Sequence, residues 1–392
     1  MTEVVPAIVV PAYNRPHTLA RLLASIKAAD YPQGHKVPLV ISIDPENGVP
    51  NQSVRTVAES FEWIHGPIEI VLHPNHLGML NNFLFCGNLT ETYGSIIYLE
   101  DDLVLSPVFY HFVEQAHQYF SEDKRIAGVS LYAYQYNGFH HYPFIPLMDG
   151  ADVYFAQIMS ILGQSWTEAQ WHRFTEWYKS YPMVMKEMGK PLHNVWQSFA
   201  DDEYFPIQIK YLVSTDQFYV FPRSSLTTGF GDQGAHFDSS TDYFQVPIQR
   251  NKTSYRFHAL DDADAVYDSF MEILPRCIKR LSPVLRDFDF AVDLNAIKEL
   301  NHLQSDYVLT TRACANPAKT FALAMKPPEA NLIFNTVGRG INLCRPSDIR
   351  WDRWSEFQTR KRRYDYFSRG RRLELKQAFL YFLFDLGNRS RR

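Results

Sequence analysis

Residues 7–26 read AIVVPAYNRPHTLARLLASI: an apolar run, a polar hexapeptide, then apolar residues at helical spacing. A short continuous apolar run bounded by turn residues suits a strand buried on both faces. Pro16 suits a first helical turn, where its missing N–H costs nothing and its fixed φ is already helical. Leu19, Leu22, Leu23 and Ile26 then fall on one helical face. Working outward, residues 37–43 and 68–72 read as strands two and three, residues 76–90 as a helix and residues 95–99 as strand four. Strands that alternate with amphipathic helices predict an α/β fold with a mainly parallel sheet flanked by helices. In such an open sheet, ligands sit beyond the carboxyl ends of the strands. Three of those ends carry polar groups: PAYNRP after strand one, Asp44 after strand two, and Glu100, Asp101 and Asp102 after strand four.

Consecutive carboxylates at the end of a buried strand need compensation, because buried like charges are costly. A divalent cation supplies it. Mn²⁺ or Mg²⁺ takes oxygen ligands and commonly bridges one or two carboxylates to substrate phosphates. An acidic loop or helix cap is the other reading, since Ser106 and Pro107 open a helix just downstream.

The stretch SIIYLEDDLVLSPVFYHFVEQAHQYFSEDKRIAGVSLYAYQYNG, residues 95–138, is similar to the region around the EDD motif of the N-acetylglucosaminyltransferase I family. VVPAYNRPHTLARLLASI, residues 9–26, resembles the opening of that family and of the family 2 glycosyltransferases. The resemblance covers about the first 250 residues. It implies a GT-A (Rossmann-like) fold, a nucleotide-sugar donor with UDP favoured, and inversion at the anomeric carbon. It also implies that Asp102 ligates the metal while Glu100 and Asp101 face the nucleotide and sugar. Pro11, Ala12, Tyr13, Asn14 and Arg15 would then hold base and ribose, with Tyr13 stacking on a flat ring and Arg15 reaching phosphate. An N-cap and turn explains the same five residues. Asp44 matches an acidic contact to base or ribose, although Asp before Pro is also ordinary turn chemistry.

Inverting transfer needs a general base within hydrogen-bond reach of the acceptor hydroxyl. WQSFADDEYFPIQIKY, residues 196–211, offers Asp202 first and Asp201 second, with an acid-rich helix start as the alternative. The loop TTGFGDQGAHFDSS, residues 227–240, is rich in glycine and could close over donor phosphates, with His236 assisting the metal or pyrophosphate, although a lone His in a turn also reads as polar surface. Trp166 and Trp171 suit either a sugar face or the core.

Composition shifts after about residue 105 and again after the acidic stretch 260–268, and the resemblance implies a nucleotide-sugar half (1–104), an acceptor half (105–260) and a helical or mixed C-terminal appendage (261–392). Its last stretch, residues 351–392, mixes Arg and Lys with Trp, Phe, Tyr and Leu, as an interfacial helix on an anionic bilayer would. A solvated basic tail or an oligomer contact has the same composition. A net charge of -4 gives no basic footprint for nucleic acid. Cys86, Cys277, Cys314 and Cys344 show no CxxC pair, which points to neither zinc nor a dense disulfide framework and suits a reducing cytoplasm. The N-terminus lacks a basic n-region and a cleavage site, and no run of about twenty apolar residues could span a bilayer. NxS/T triplets at Asn51, Asn88, Asn251 and Asn388 are therefore read as chance. Animal members of the family that the chain resembles carry an N-terminal anchor and nothing like the basic stretch 351–392, and that difference from the resemblance implies a bacterial cytoplasmic enzyme of surface-polysaccharide assembly, acting on a glycan or lipid-linked acceptor at the inner membrane face. A nucleotide-sugar hydrolase, a nucleotidyltransferase and a non-catalytic carbohydrate-binding scaffold are the alternatives. The second lacks its usual Gly-rich phosphate loop, and the third would be expected to have lost part of the acidic triplet.

Overall fold

The computed structural model describes residues 5–46, 48–181, 183, 192–197, 199–200, 202–232 and 242–367. The chain forms two compact units, one of Met1–Gln135 with Met148–Ile273, the other of Tyr136–Leu147 with Leu274–Arg392.

The first unit is built on β1 (Ala7–Ala12), α1 (Pro16–Lys27), β2 (Leu39–Ile43), α2 (Gln52–Glu59), β3 (Ile68–Leu72), α3 (Gly78–Asn88), α4 (Thr90–Tyr93) and β4 (Ser95–Tyr98). It continues through β5 (Leu103–Leu105), α5 (Phe109–Phe120), β6 (Ile126–Ser130), β9 (Val153–Ala156), β10 (Gln164–Thr167), α6 (Glu168–Lys179), α7 (Tyr204–Thr215), β11 (Phe218–Pro222), β12 (Thr227–Gly229) and β13 (Val266–Tyr267). The sheet order is β13-β9-β11-β6-β10-β4-β1-β2-β3. Strand β1 pairs in parallel with β2 and β4, and β2 with β3. Strand β10 enters antiparallel between β4 and β6. The result is the expected α/β architecture, a mixed and mainly parallel sheet with flanking helices.

Local chemistry accounts for this order. Every residue of β2 and β4 is buried, as continuous apolar runs require in a sheet covered on both faces, whereas β3 carries the charged Glu69, has no fully buried residue and lies at the edge. Pro16 takes the first turn of α1, and Leu19, Leu22, Leu23 and Ile26 are buried beneath it. The helix expected over residues 76–90 starts at Gly78 and breaks at Leu89. Gly78 has φ +73, a conformation that strains any residue with a Cβ. Behind β4, Phe83, Tyr98, Trp166, Trp171 and Tyr204 form an interlocked aromatic core. Two triplet asparagines have structural tasks: Asn51 caps α2, and Asn88 accepts from the Trp171 indole.

The second unit holds β7 (Tyr136–Asn137), β8 (Tyr142–Pro143), β14 (Phe290–Asp293), β15 (Tyr307–Thr310), β16 (Lys319–Phe321) and β17 (Ile341–Cys344), with α8 (Pro275–Leu281), α9 (Ala330–Ile333) and α10 (Arg353–Phe367). Its sheet runs β14-β15-β17-β16. Asp293, fully buried, accepts from the amides of Ile297 and Lys298 and pairs with Arg312. Cys314 and Cys344 are disulfide-bonded, a pairing invisible in their spacing: Cys344 ends β17, and Cys314, past the end of β15, forms a backbone bridge with Ile349. The acidic stretch 260–268, where composition placed the start of the appendage, lies in the first unit and contributes β13. Among the described residues no helix is long and apolar enough to cross a membrane. Of the basic stretch, α10 is described and carries exposed Trp354 and Phe357, while residues 368–392 lie outside the described residues.

Candidate functional site

Strand β4 ends at Tyr98, and the chain turns through Glu100, Asp101 and Asp102 into β5. Strand β5 pairs antiparallel with β12, so the Gly-Phe-Gly loop is drawn to the acidic turn. The loop after β1 reaches the same place. Arg15 pairs with Asp101 and, at 3.0 Å, with Oδ2 of Asp102. Oδ1 of Asp102 is buried and has no hydrogen-bond partner among the described residues. Glu100, half-buried, accepts from the Tyr204 hydroxyl. Burial, and next the charge of Asp102, hold its carboxyl well above the usual carboxylate range, with Tyr204 opposing. Burial likewise pushes Asp101 up to about 6, against the pull of Arg15.

From α1, Arg21 spans this turn and the loop beyond β12. Its guanidinium pairs with Asp232, lies 3.4 Å from the backbone oxygen of Asp102, and sits 3.9 Å from the centre of the Phe230 ring. The hydrogen bond from Arg21 holds the Asp232 carboxyl below its ordinary range. Gly231, at φ +65, allows the intervening bend. Sequence reasoning did not single out Arg21, Phe230 or Asp232, since an Arg on the polar face of an amphipathic helix reads as a solvated charge. Gly234 and His236 lie outside the described residues.

Pro11 and Ala12 close β1, half-buried and buried respectively; Tyr13 is half-buried and Asn14 exposed. The Tyr13 ring lies 5.5 Å from that of His76, and burial, then Glu46 and Asp44, raise its phenol. Asp44, buried at the end of β2, accepts from the Leu77 amide at 2.7 Å and the Gly78 amide at 3.0 Å, with His76 Nδ1 3.0 Å from Oδ2. Both oxygens are thus engaged in fixing the start of α3, and contact with a ligand falls to their remaining lone pairs. Beneath it, Ser42 donates to Asn82 and lies 2.8 Å from His73 Nε2.

Asp202 is exposed in the turn before α7, two residues from Tyr204, and Asp201 lies outside the described residues. Trp166 and Trp171 belong to the core and present no sugar face: both are buried, their indole N–H groups bonded to Tyr219 at 2.6 Å and Asn88 at 2.8 Å. Among the described residues no group of three or more His, Cys, Asp or Glu gathers to hold a metal. The unpartnered Oδ1 of Asp102 fits a cation held by one carboxylate, with phosphate oxygens and water completing the shell. A cavity of about 740 Å³ lined by Tyr31, His35, Lys36 and His65 opens where β2 and β3 begin, at the opposite end of those strands from Asp44.

No protein-family model and no curated protein matches the chain. Solved structures similar to it include S. aureus TarS 1–349, at 12% identity and a TM-score of 0.34 over 58% of this chain and 61% of that one. A longer S. aureus TarS structure aligns at 12% identity and 0.33, over 57% of this chain and 36% of that one. GalNAc-T7, solved with UDP, GalNAc and Mn²⁺, aligns at 10% identity and 0.38, over 57% of this chain and 43% of that one. In each case the chain spans less than two thirds of its neighbour's length. A likeness of this degree assigns neither activity nor substrate.

Proposed function

We propose that the chain is a metal-dependent, inverting glycosyltransferase with a GT-A fold, moving a sugar from a nucleotide-sugar, UDP favoured, to a hydroxyl of a glycan or lipid-linked acceptor. One observation carries this reading. The acidic turn 100–102 stands at the carboxyl end of a central strand and carries a buried carboxylate oxygen that has no partner among the described residues. The loop after β1 and the Gly-Phe-Gly loop converge on it.

On this reading residues 1–104 hold the donor and 105–260 shape the acceptor side. Pro11 to Arg15 and Asp44 surround base and ribose, the Tyr13 ring stacking on the base. Glu100 and Asp101 face sugar and nucleotide. Asp102 holds Mn²⁺ or Mg²⁺, with His236 assisting. Bound there, the cation would supply positive charge where negative charge develops on the departing diphosphate. Arg15 and Arg21 add fixed positive charge beside that position. Asp202, or Asp201, takes the proton of the acceptor hydroxyl as its oxygen attacks the anomeric carbon from the face opposite the leaving group. A role in bacterial surface-polysaccharide synthesis at the inner face of the cytoplasmic membrane, with contact through the basic C-terminal stretch, completes the proposal.

The test is product analysis by mass spectrometry with a panel of sugar nucleotides, with and without saccharide acceptors. Acceptor-dependent transfer supports the reading. Free sugar released equally with and without acceptor indicates a hydrolase, and no consumption of any donor favours a binding protein.

A further inference from the structure

The Tyr204 side chain is fully buried at the first residue of α7. Its ring lies face to face on Phe83, centroids 4.1 Å apart and planes 8° from parallel, and edge-on to Tyr98 at 6.1 Å. Its hydroxyl donates to the half-buried Glu100. Tyr98 ends the strand that delivers the acidic turn, and Phe83 belongs to α3, whose start is fixed by Asp44. One phenol therefore touches the strand, the helix and the turn. In the chain it stands two residues after Asp202. An extended chain reaches about 3.5 Å per residue, so the Asp202 backbone lies within about 7 Å of the Tyr204 backbone.

We propose that Tyr204 is a positioning residue that sets the separation between the acidic turn 100–102 and the acidic pair Asp202 and Glu203, by holding Glu100 through its hydroxyl and α7 through its ring. This rests on the transferase reading, in which the first segment serves the departing phosphate and the second the incoming hydroxyl. Their separation is the distance across the reacting carbon. Positional errors of about 1 Å in such geometry cost up to about a hundredfold in rate. Two residues apart in sequence, Asp202 and Tyr204 divide the work: one faces solvent and the other is locked in the core. An aromatic at the first residue of a helix is ordinary core packing, but packing alone needs no hydroxyl aimed at a carboxylate.

The test uses the full chain and Tyr204→Phe, which keeps the ring stack and removes only the hydroxyl. Hydrogen exchange is followed in peptides covering residues 98–106 and 199–206, beside steady-state transfer. The expected result is faster exchange in both peptides, with kcat lowered about 10- to 100-fold and donor KM changed by less than about twofold. Glu100→Gln, which retains an oxygen to accept from Tyr204, should leave exchange in 199–206 as in the parent. Glu100→Ala should loosen both peptides and stands in should Tyr204→Phe not fold. Faster exchange confined to 199–206, or an unchanged kcat, overturns the proposal. A parent chain that transfers no sugar, while both peptides still respond together, refutes the transferase reading and leaves the structural tie intact.

Discussion

Replacing Asp44 by Asn is the most informative single change in the loop region, because it keeps shape and removes one acceptor. In the parent, Oδ1 accepts from the Leu77 amide and Oδ2 from the Gly78 amide, both charge-assisted and both at the start of α3. Asn can accept only one of them and turns its NH₂ donor toward the other. A hydrogen bond to a charged group contributes about 1.5–3 kcal/mol, and a buried amide left unsatisfied costs about 1–3 kcal/mol. Loss of a negative charge at a helix N-terminus adds a few tenths to about 1 kcal/mol. Allowing for partial relaxation, Asp44→Asn should destabilise the first unit by about 2–4 kcal/mol. For a unit of this size that lowers Tm by about 5–15 °C. The assay is thermal unfolding followed by the fluorescence of the buried Trp166 and Trp171, which report the first unit. A shift under about 1 °C would mean the two amides do not depend on this carboxylate, and the clamp on α3 would have to be abandoned.

Two further stability predictions follow from the core. A Cβ at Gly87 would lie 2.0 Å from the Trp171 ring, so Gly87→Ala should cost at least about 1–3 kcal/mol in a denaturant titration; an unshifted midpoint contradicts the packing described. His117 is buried with Nε2 3.0 Å from Ser165, and Ser165 spends its own proton on the Ile96 oxygen, which makes Nε2 the protonated nitrogen and leaves Nδ1 without a partner among the described residues. Burial lowers the His117 pKa from 6.5 to about 4. The unfolded chain therefore binds the proton more readily, and stability is complete above pH 6.5 and falls as pH drops toward 4, by about 3 kcal/mol in all. Urea midpoints measured across that range should fall in the parent and flatten in His117→Asn; equal slopes would remove His117 as the cause.

The parallel core was legible because β1, β2 and β4 are short, continuous apolar runs, and no other element satisfies such runs so economically in length. The acidic turn was legible for the converse reason: three carboxylates directly after a buried strand stand out against it. What could not be read was set by pairing over long sequence distances. Insertion of β10 between β4 and β6, the β5–β12 ribbon and the edge strand β13 all depend on partners far away in the chain. Arg21 looked like a surface charge because its partner Asp232 lies in a distant loop. Asp44 was placed at the right strand end, but its engagement by two amides depends on the loop before α3 and not on its own neighbours. Trp166 and Trp171 show the limit of composition, since a buried indole and a sugar-facing one are the same letter. Their burial was decided by the aromatic layer they share with Phe83.

The central claim is that Asp102 organises a metal-dependent nucleotide site. Calorimetric titration of UDP, GDP and CMP into the full chain, with and without Mn²⁺ and repeated on Asp102→Ala, tests it most directly. The account predicts that one nucleotide, UDP, binds only when Mn²⁺ is present and that this binding is lost in Asp102→Ala. Absence of nucleotide binding under every metal condition, or binding that survives in Asp102→Ala, would contradict it.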